Sequence, residues 1–210
     1  MERFEEFKTT ILERAKKECA FKEQYSRALK SDTFEDLMSV IKDNFLWATE
    51  NKIIDPILIN EYKQEFNGNN IWCNENARNG FLLLTGNTTA EATGNTTVEA
   101  YGNTTVEAYD NTTVRAYDNT TVEAYGNATV EAYGNATVEA YDNATVRATG
   151  NTTVRAYDNT TVEAYGNAYI HSYYIIECKL KDNSIYRLIS ENKIFYPEES
   201  AIKIEKQTNP

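Results

Sequence analysis

His171 is the only histidine in the chain, and general acid–base chemistry would need it beside a nucleophile or a second acid. No Ser, Cys or paired carboxylate stands at a recognisable spacing from it, and it occupies a repeat position that elsewhere holds Glu or Arg. Cys19, Cys73 and Cys178 form an odd, scattered set with no CxxC or Cys/His spacing, so they fit neither a zinc site nor a disulfide framework and read as buried free thiols. Asp110, Asp118, Asp142 and Asp158 recur, but calcium-binding repeats have a nine-residue period with a regular Asp. Trp72, Cys73 and Arg78 are close in sequence and could line a cleft, a third option supported by proximity alone. The expectation is a chain that works by the surface it presents, with no catalytic residue, metal or cofactor.

That surface is written in one phrase. From Gly86 to Tyr173 the sequence repeats every eight residues as G/D-N-T/A-T-V-E/R-A-Y, eleven times. Short fixed periods of this kind stack into a solenoid, because one unit cannot bury its apolar face alone. Alternation within the phrase sends Thr/Ala, Val and Ala inward and leaves Thr, Glu/Arg and Tyr outward, while Gly-Asn or Asp-Asn supplies a corner. Inward side chains this small favour two thin sheets with two phrases per coil over a triangular coil of three. The eleven phrases would then make about five and a half coils, a rod of about 26 Å.

A two-phrase coil sorts the charges into columns. One face stacks Glu99, Arg115, Glu131, Arg147 and Glu163, alternating in sign. The other stacks Glu91, Glu107, Glu123 and Glu139, then Arg155 and His171. Like charges about 5 Å apart in water repel by about 1 kcal/mol per pair before screening, so the four-Glu column weakens the rod slightly and is a candidate binding stripe for a basic partner. A second candidate contact surface is aromatic: Tyr101, Tyr109, Tyr117, Tyr125, Tyr133, Tyr141, Tyr157 and Tyr165. Stacked beside a corner, these rings also stabilise the ladder, which is the favoured role. The Asn column from Asn87 to Asn167 reads as a corner hydrogen-bond ladder.

Around the repeat, four segments are expected: a helical unit over 1–68, a connector with an entry strand over 69–85, the solenoid over 86–173 and a C-terminal β cap over 174–210. In the first, Phe4, Phe7, Ile11 and Ala15 mark one amphipathic helix, and Phe34, Leu37, Met38, Ile41 and Phe45 mark a second, with its start signal at Asp32 and Glu35. Asp55-Pro56 has the chemistry to begin a third. Beyond Tyr173, "YYIIECKL", "IYRLI" and "KIFY" read as short strands with a hairpin around Asp182-Asn183, closing an end that would otherwise expose unpaired edges. The fold class is therefore mainly β: an octapeptide β-solenoid with helices before it and a short β cap after it.

The phrases "GNATVEAYDNATVRAY", behind "VIKDNF" and "YKQEF" and before "IECKLKDNSIYR", make the chain similar to a group of uncharacterised octapeptide-repeat proteins of bacteria and mobile elements. The resemblance implies an architecture and carries no active site. By shape and acidity alone there is a looser likeness to pentapeptide-repeat proteins, some of which imitate DNA, although their five-residue period is absent.

Charge narrows the partners. The chain carries a net charge of -11, and residues 86–167 hold 11 acids against 3 bases, or -8 of that total. This argues against direct binding to nucleic acid, which needs clustered Lys and Arg. Eight charges over about 26 Å give about one per 3 Å, against about one per 1.7 Å of duplex, so imitation of DNA would be at half strength. The N-terminal "MERFEEFKTT" is charged and the longest apolar runs fall far short of a membrane span, from which a cytoplasmic protein with no membrane contact is expected. The leading functional expectation is a non-enzymatic protein-binding rod, in its specific form an inhibitor of a host nucleic-acid-binding enzyme or defence complex. The alternative is an assembly protein forming homo-oligomers through Tyr and Thr faces.

Overall fold

A computed structural model describes residues 2–197 and 202–205, the last four as backbone only. The chain divides into two units, residues 1–73 and 74–210. The first contains α1 (Glu2–Lys17), α2 (Lys22–Lys30), α3 (Phe34–Asp43), α4 (Phe45–Glu50), α5 (Pro56–Glu61), α6 (Lys63–Gly68) and the strand β1 (Ile71–Cys73). Phe4, Phe7, Ile11 and Ala15 are the buried stripe of α1, as their spacing predicts. Phe7 packs its ring 4.7 Å from that of Tyr62 and 5.7 Å from that of Phe66, joining both ends of the unit in one aromatic core.

Helix starts follow cap chemistry, with one correction. Thr33 rather than Asp32 caps α3: its Oγ1 accepts the Asp36 N–H at 3.1 Å, and Asp36 Oδ2 accepts from the Thr33 hydroxyl at 2.8 Å. Asp55 caps α5, its Oδ1 accepting the Leu58 N–H at 2.8 Å ahead of Pro56 in the first turn. Three helices are expected from periodicity and six are found among the described residues. Asn44 separates α3 from α4 and Tyr62 separates α5 from α6, while α2 buries only Ala28 and so carries no apolar stripe to announce it.

The second unit is a β-solenoid. Its strands are β2 (Ala77–Leu84), β3 (Thr89–Ala100), β4 (Thr105–Ala108), β5 (Thr113–Ala116), β6 (Thr121–Ala124), β7 (Thr129–Ala132) and β8 (Thr137–Ala140). They continue as β9 (Thr145–Ala148), β10 (Thr153–Ala156), β11 (Thr161–Ala164), β12 (Tyr169–Ser172), β13 (Glu177–Leu180) and β14 (Ile185–Leu188), making about seven turns of about 16 residues. The two-phrase coil expected from the small inward residues is the one found.

β3 runs through both sheets: Thr89–Ala92 pairs with β4 and Thr97–Ala100 with β5. The first face is built from that leading half, β4, β6, β8, β10, β12 and β14, with the Ala77 end of β2 beside Ala92; the second from the Leu84 end of β2, the trailing half of β3, β5, β7, β9, β11 and β13. Every pairing between coils is parallel, and within the repeat Thr stands beside Thr, Val beside Val and Ala beside Ala, one coil of 16 residues apart.

Alternation sorts the side chains as expected with one exception: Glu99, expected to face water, is fully buried. Val106, Val122 and Val138 and the Ala residues of the phrase are fully buried, as are Thr112, Thr120 and Thr160 at the first inward place. Thr120 shows how a hydroxyl is tolerated there: Oγ1 donates to the Tyr117 carbonyl at 2.7 Å, within its own corner, and lies 3.3 Å from the Ala100 carbonyl of the coil before. Ala128, Ala136 and Ala144 take the same place without the hydroxyl.

The corners set the chain's direction. Asp118 has φ 58° and Gly134, stacked on it, φ 69°; a Cβ on Gly134 would lie 3.2 Å from both N and O of Asp118. Corner Asp residues tolerate the same left-handed backbone and add a bond: Asp118 Oδ2 accepts the Gly102 N–H of the preceding coil at 3.0 Å, and Asp142 accepts that of Gly126 at 2.9 Å. The Asn ladder expected along the corner is present, Asn103 Nδ2 donating to Asn87 Oδ1 at 3.0 Å, Asn119 to Asn103 at 3.1 Å and Asn167 to Asn151 at 3.1 Å.

The repeat ends at Tyr173 but the coil does not. The hairpin expected at Asp182-Asn183 is absent: β13 and β14 are parallel partners of β11 and β12, with Glu177 beside Thr161 and Ile185 beside Tyr169. Asp182-Asn183-Ser184 repeats the corner chemistry of Asp-Asn-Thr, so Asp182 takes φ 56° and accepts the Gly166 N–H at 2.9 Å. Antiparallel pairing begins only at β15 (Lys193–Pro197) against β14, and β16 (Ile202–Glu205) follows β15. At the other end β2, expected as part of a connector, lies in register one coil before β3, Leu82 beside Val98 and Leu84 beside Ala100.

A core of Ala, Val and Thr between two sheets has no slack for a larger side chain. Ala140→Leu is expected to destabilise the solenoid by about 1–3 kcal/mol or more, whereas Thr137→Val, on the outer side of the same strand, stays within about 0.5 kcal/mol. Urea denaturation followed by circular dichroism measures both.

Candidate functional site

The register brings the sequence-derived columns together as real rows. On the first face Glu91, Glu107, Glu123, Glu139, Arg155, His171 and Arg187 are successive neighbours across seven strands. On the second, Glu99, Arg115, Glu131, Arg147, Glu163 and Lys179 alternate in sign. Lys179 and Arg187 extend both columns past the repeat, a consequence of the coil continuing to β14.

A local bond that periodicity does not disclose organises the carboxylates. Each Tyr at the end of a V-E-A-Y phrase reaches back two residues to the Glu: Tyr109 Oη donates to Glu107 Oε2 at 2.8 Å, Tyr125 to Glu123 at 2.8 Å and Tyr141 to Glu139 at 2.7 Å. On the second face Tyr101, Tyr133 and Tyr165 do the same to Glu99, Glu131 and Glu163. Glu and Tyr alternate along a strand with one residue between, so both project from the same side, and the ring spans the gap to the carboxylate.

The rings then stack coil upon coil. Tyr109 and Tyr125 lie 5.0 Å apart at 9°, Tyr125 and Tyr141 4.8 Å at 6°, and Tyr141 and Tyr157 4.6 Å at 2°. Across the second face the stack runs Tyr101, Tyr117, Tyr133. Tyr165 is separated from it by Thr149 and instead lies under Arg147 and Lys181, each 5.0 Å from its ring centre. The rings thus stack in the geometry of a ladder, Tyr165 excepted, and the same side chains hold the carboxylates of the acidic column through the Tyr–Glu bonds.

The two faces differ in how far their charge is offset. On the second, Arg115 Nε donates to Glu131 Oε2 at 2.8 Å, and Lys179 pairs with Glu163 at 3.3 Å. The hydrogen bond from Tyr165, with Lys179 beside it, holds the Glu163 carboxyl below its usual range. On the first, Arg155 pairs with Glu139 at 3.3 Å, but Glu91, Glu107 and Glu123 have no ion pair among the described residues. The acidic stripe is thus three carboxylates long, Glu91 exposed and Glu107 and Glu123 half-buried, with a neutralised fourth.

His171 is not placed as a base. Arg155 Nε donates to His171 Nε2 at 3.0 Å, so that nitrogen serves as acceptor and the proton belongs on Nδ1. Burial, then the neighbouring Arg155, lowers its pKa, with Glu139 opposing and Arg187 adding to the fall. The adjacent Ser172 faces inward and bonds the Tyr174 carbonyl and Tyr186 hydroxyl. His171, Arg155, Arg187, Tyr169, Tyr173 and Ile189 line an open groove of about 580 Å³ at the C-terminal end of the first face.

Cys178 is buried in β13, and burial pushes its thiol up to about 12, whereas Cys73 is partly accessible and Cys19 is exposed, against the expectation that all three are buried. Cys19 falls in the link between α1 and α2, where its backbone is left-handed (φ 55°), and Cys73 ends β1; neither lies on the buried stripe of an element. Trp72 and Cys73 belong to the helical unit and Arg78 to the solenoid unit. Among the described residues no three His, Cys, Asp or Glu side chains are grouped to hold a metal ion, and no helix is long and apolar enough to cross a membrane. Comparison with protein-family models, curated proteins and solved structures gives no match.

The Tyr–Glu bond is testable by titration. Donation to the Glu123 carboxylate, aided by burial, pushes Tyr125 up to about 12, and donation to Glu107 raises Tyr109. Because the folded pKa lies above the unfolded value of about 10, this stabilisation is fully present below about pH 10 and is lost as pH rises through about 12. Near-ultraviolet titration of tyrosinate is expected to show these groups ionising last, with Glu123→Gln returning one tyrosine toward the ordinary range. A native chain whose tyrosines all titrate together at the ordinary value contradicts the bond.

Proposed function

We propose that this chain is a non-enzymatic protein-binding rod that uses the first face of its solenoid as the contact surface. The observation that carries this reading is the Glu–Tyr ladder, with three carboxylates bonded at 2.7 to 2.8 Å by stacked rings. Side chains fixed before a partner arrives lose little freedom on binding, and tyrosine offers a large rigid surface with a polar tip. The partner's surface is basic, matching Glu91, Glu107 and Glu123.

In its specific form the partner is a nucleic-acid-binding host enzyme or defence complex, and the chain is an inhibitor carried by a phage or mobile element. The acidity of the repeat, 11 acids against 3 bases over residues 86–167, supports this form. The carboxylates recur at about 4.8 Å along the column, against about 3.4 Å of helix axis per phosphate on one DNA strand. Any likeness to DNA is therefore one of charge and steering more than of spacing. A second reading, assembly between copies of this chain, is favoured by Tyr173 and Ile189, which are exposed beside the cationic end of the same face.

Affinity capture from bacterial lysate with mass spectrometry tests the contact surface. The native chain is compared with one carrying Gln at 91, 107, 123 and 139, and recovery of the specific partner is expected to fall by at least about tenfold. Equal recovery by both would show that the acidic column is not where the partner binds.

A further inference from the structure

The charge column of the first face reads Glu91, Glu107, Glu123, Glu139, Arg155, His171, Arg187, one residue per coil in unbroken register. Turned end for end, it meets its own complement. A two-fold axis lying along the strand direction at the fourth coil reverses the rod axis and leaves strand direction unchanged. It therefore sets column against column. Glu91 then faces Arg187 of a second copy and Glu123 faces Arg155, each of these charge pairs occurring twice, while Glu107 meets the neutral ring of His171. The only like-charged meeting is Glu139 with Glu139 on the axis, and each of these is already neutralised by its own Arg155 at 3.3 Å.

We infer that the chain pairs with a second copy of itself, first face against first face, with the rods antiparallel and Glu139 at the two-fold axis. This rests on the reading of the first face as a protein-contact surface and deepens its second form, in which that face takes another copy of the chain. The groups required for pairing are available: Arg187, Glu91, Glu107 and Glu123 have no ion pair within the chain among the described residues. The same operation lays Tyr109 against Tyr173 and Tyr125 against Tyr157, covering Tyr173, which is 55% exposed, and brings Ile189, 44% exposed, against Thr93. A parallel arrangement would instead put Glu against Glu and Arg against Arg, so the sequence of charges selects the antiparallel one. Seven strands at about 4.8 Å and six residues at about 3.3 Å give a face of about 600 Å² per copy, at the lower end of standard interfaces. A reversible dimer of moderate affinity, sensitive to salt, is what such a face supports.

Charge reversal tests both the partner and the register. One variant carries Glu91→Lys with Glu123→Lys, the other Arg155→Glu with Arg187→Glu. Alone, each sets like charge against like at four places, and sedimentation velocity is expected to show self-association at least about a hundredfold weaker than native. Mixed in equal amounts, every reversed position meets an opposite charge, and association is expected to return to within about tenfold of native. The native dimer alone, with no substitution that could disturb folding, is expected to weaken at least about tenfold between about 0.05 M and about 0.5 M salt. Failure of the mixture to associate while both variants melt like the native chain overturns the antiparallel register. A native chain that stays monomeric at every concentration overturns the pairing and leaves the broader binding reading standing, because capture of a partner by the acidic column is measured separately.

Discussion

Every feature of the solenoid depends on a coil of constant length, and the corner is what keeps it constant. A residue with positive φ turns the strand, and the backbone ladder continues through that turn without a gap: the Asn119 N–H reaches the Gly102 carbonyl at 3.0 Å and the Asn127 N–H reaches the Asp110 carbonyl at 2.8 Å. Although Asp118 and Asn119 are exposed, the Asn N–H of each such corner is therefore satisfied by a carbonyl of the coil beneath. Asp adds a carboxylate bond in the same direction, and Asn adds a side-chain ladder outside it. Were one corner to take or lose a residue, the inward Val and the outward Glu of the next strand would exchange sides.

Constant length imposes a penalty as well, because identical side chains must become neighbours. For Val and Ala the result is a packed interior, and for Tyr it is a stack of rings. For Glu it is a row of like charges about 5 Å apart. The Tyr hydroxyl two residues on answers this locally by donating to each carboxylate, while alternation with Arg answers it between coils on the second face. The first face keeps only the local answer until Arg155 ends the acidic run. Its acidic end and its cationic end are thus products of the same register that builds the core.

Much of this was legible in the sequence because a repeat states its own period. The two-phrase coil followed from the small size of Val, Ala and Thr at inward places, and the membership of each charge column followed from the coil. The Glu–Tyr bond was hidden because a period says which faces side chains share but not how far a ring reaches. At Asp182-Asn183 the local pattern is ambiguous for a different reason. Bulkier residues such as Cys178, Leu180 and Tyr186 replace Ala and Val and give the composition of a hairpin, while Asp-Asn-Ser keeps the corner geometry that continues the coil. In the helical unit, stripes of large apolar residues were visible, but breaks at Asn44 and Tyr62 depend on tertiary packing that no local pattern records.

The two-sided coil also gives the phrase a parity. Inserting or deleting two phrases lengthens or shortens the rod and leaves each residue downstream on the face it already occupies. Inserting one would carry everything beyond it to the opposite face, so that Arg155, His171 and Arg187 would continue the alternating column in place of the acidic one. Tandem duplication in the gene is thus divided into even events, which preserve the pattern of each face, and odd events, which recombine the two patterns in a single step. A chain of this design can rewrite both of its surfaces without altering a single core residue.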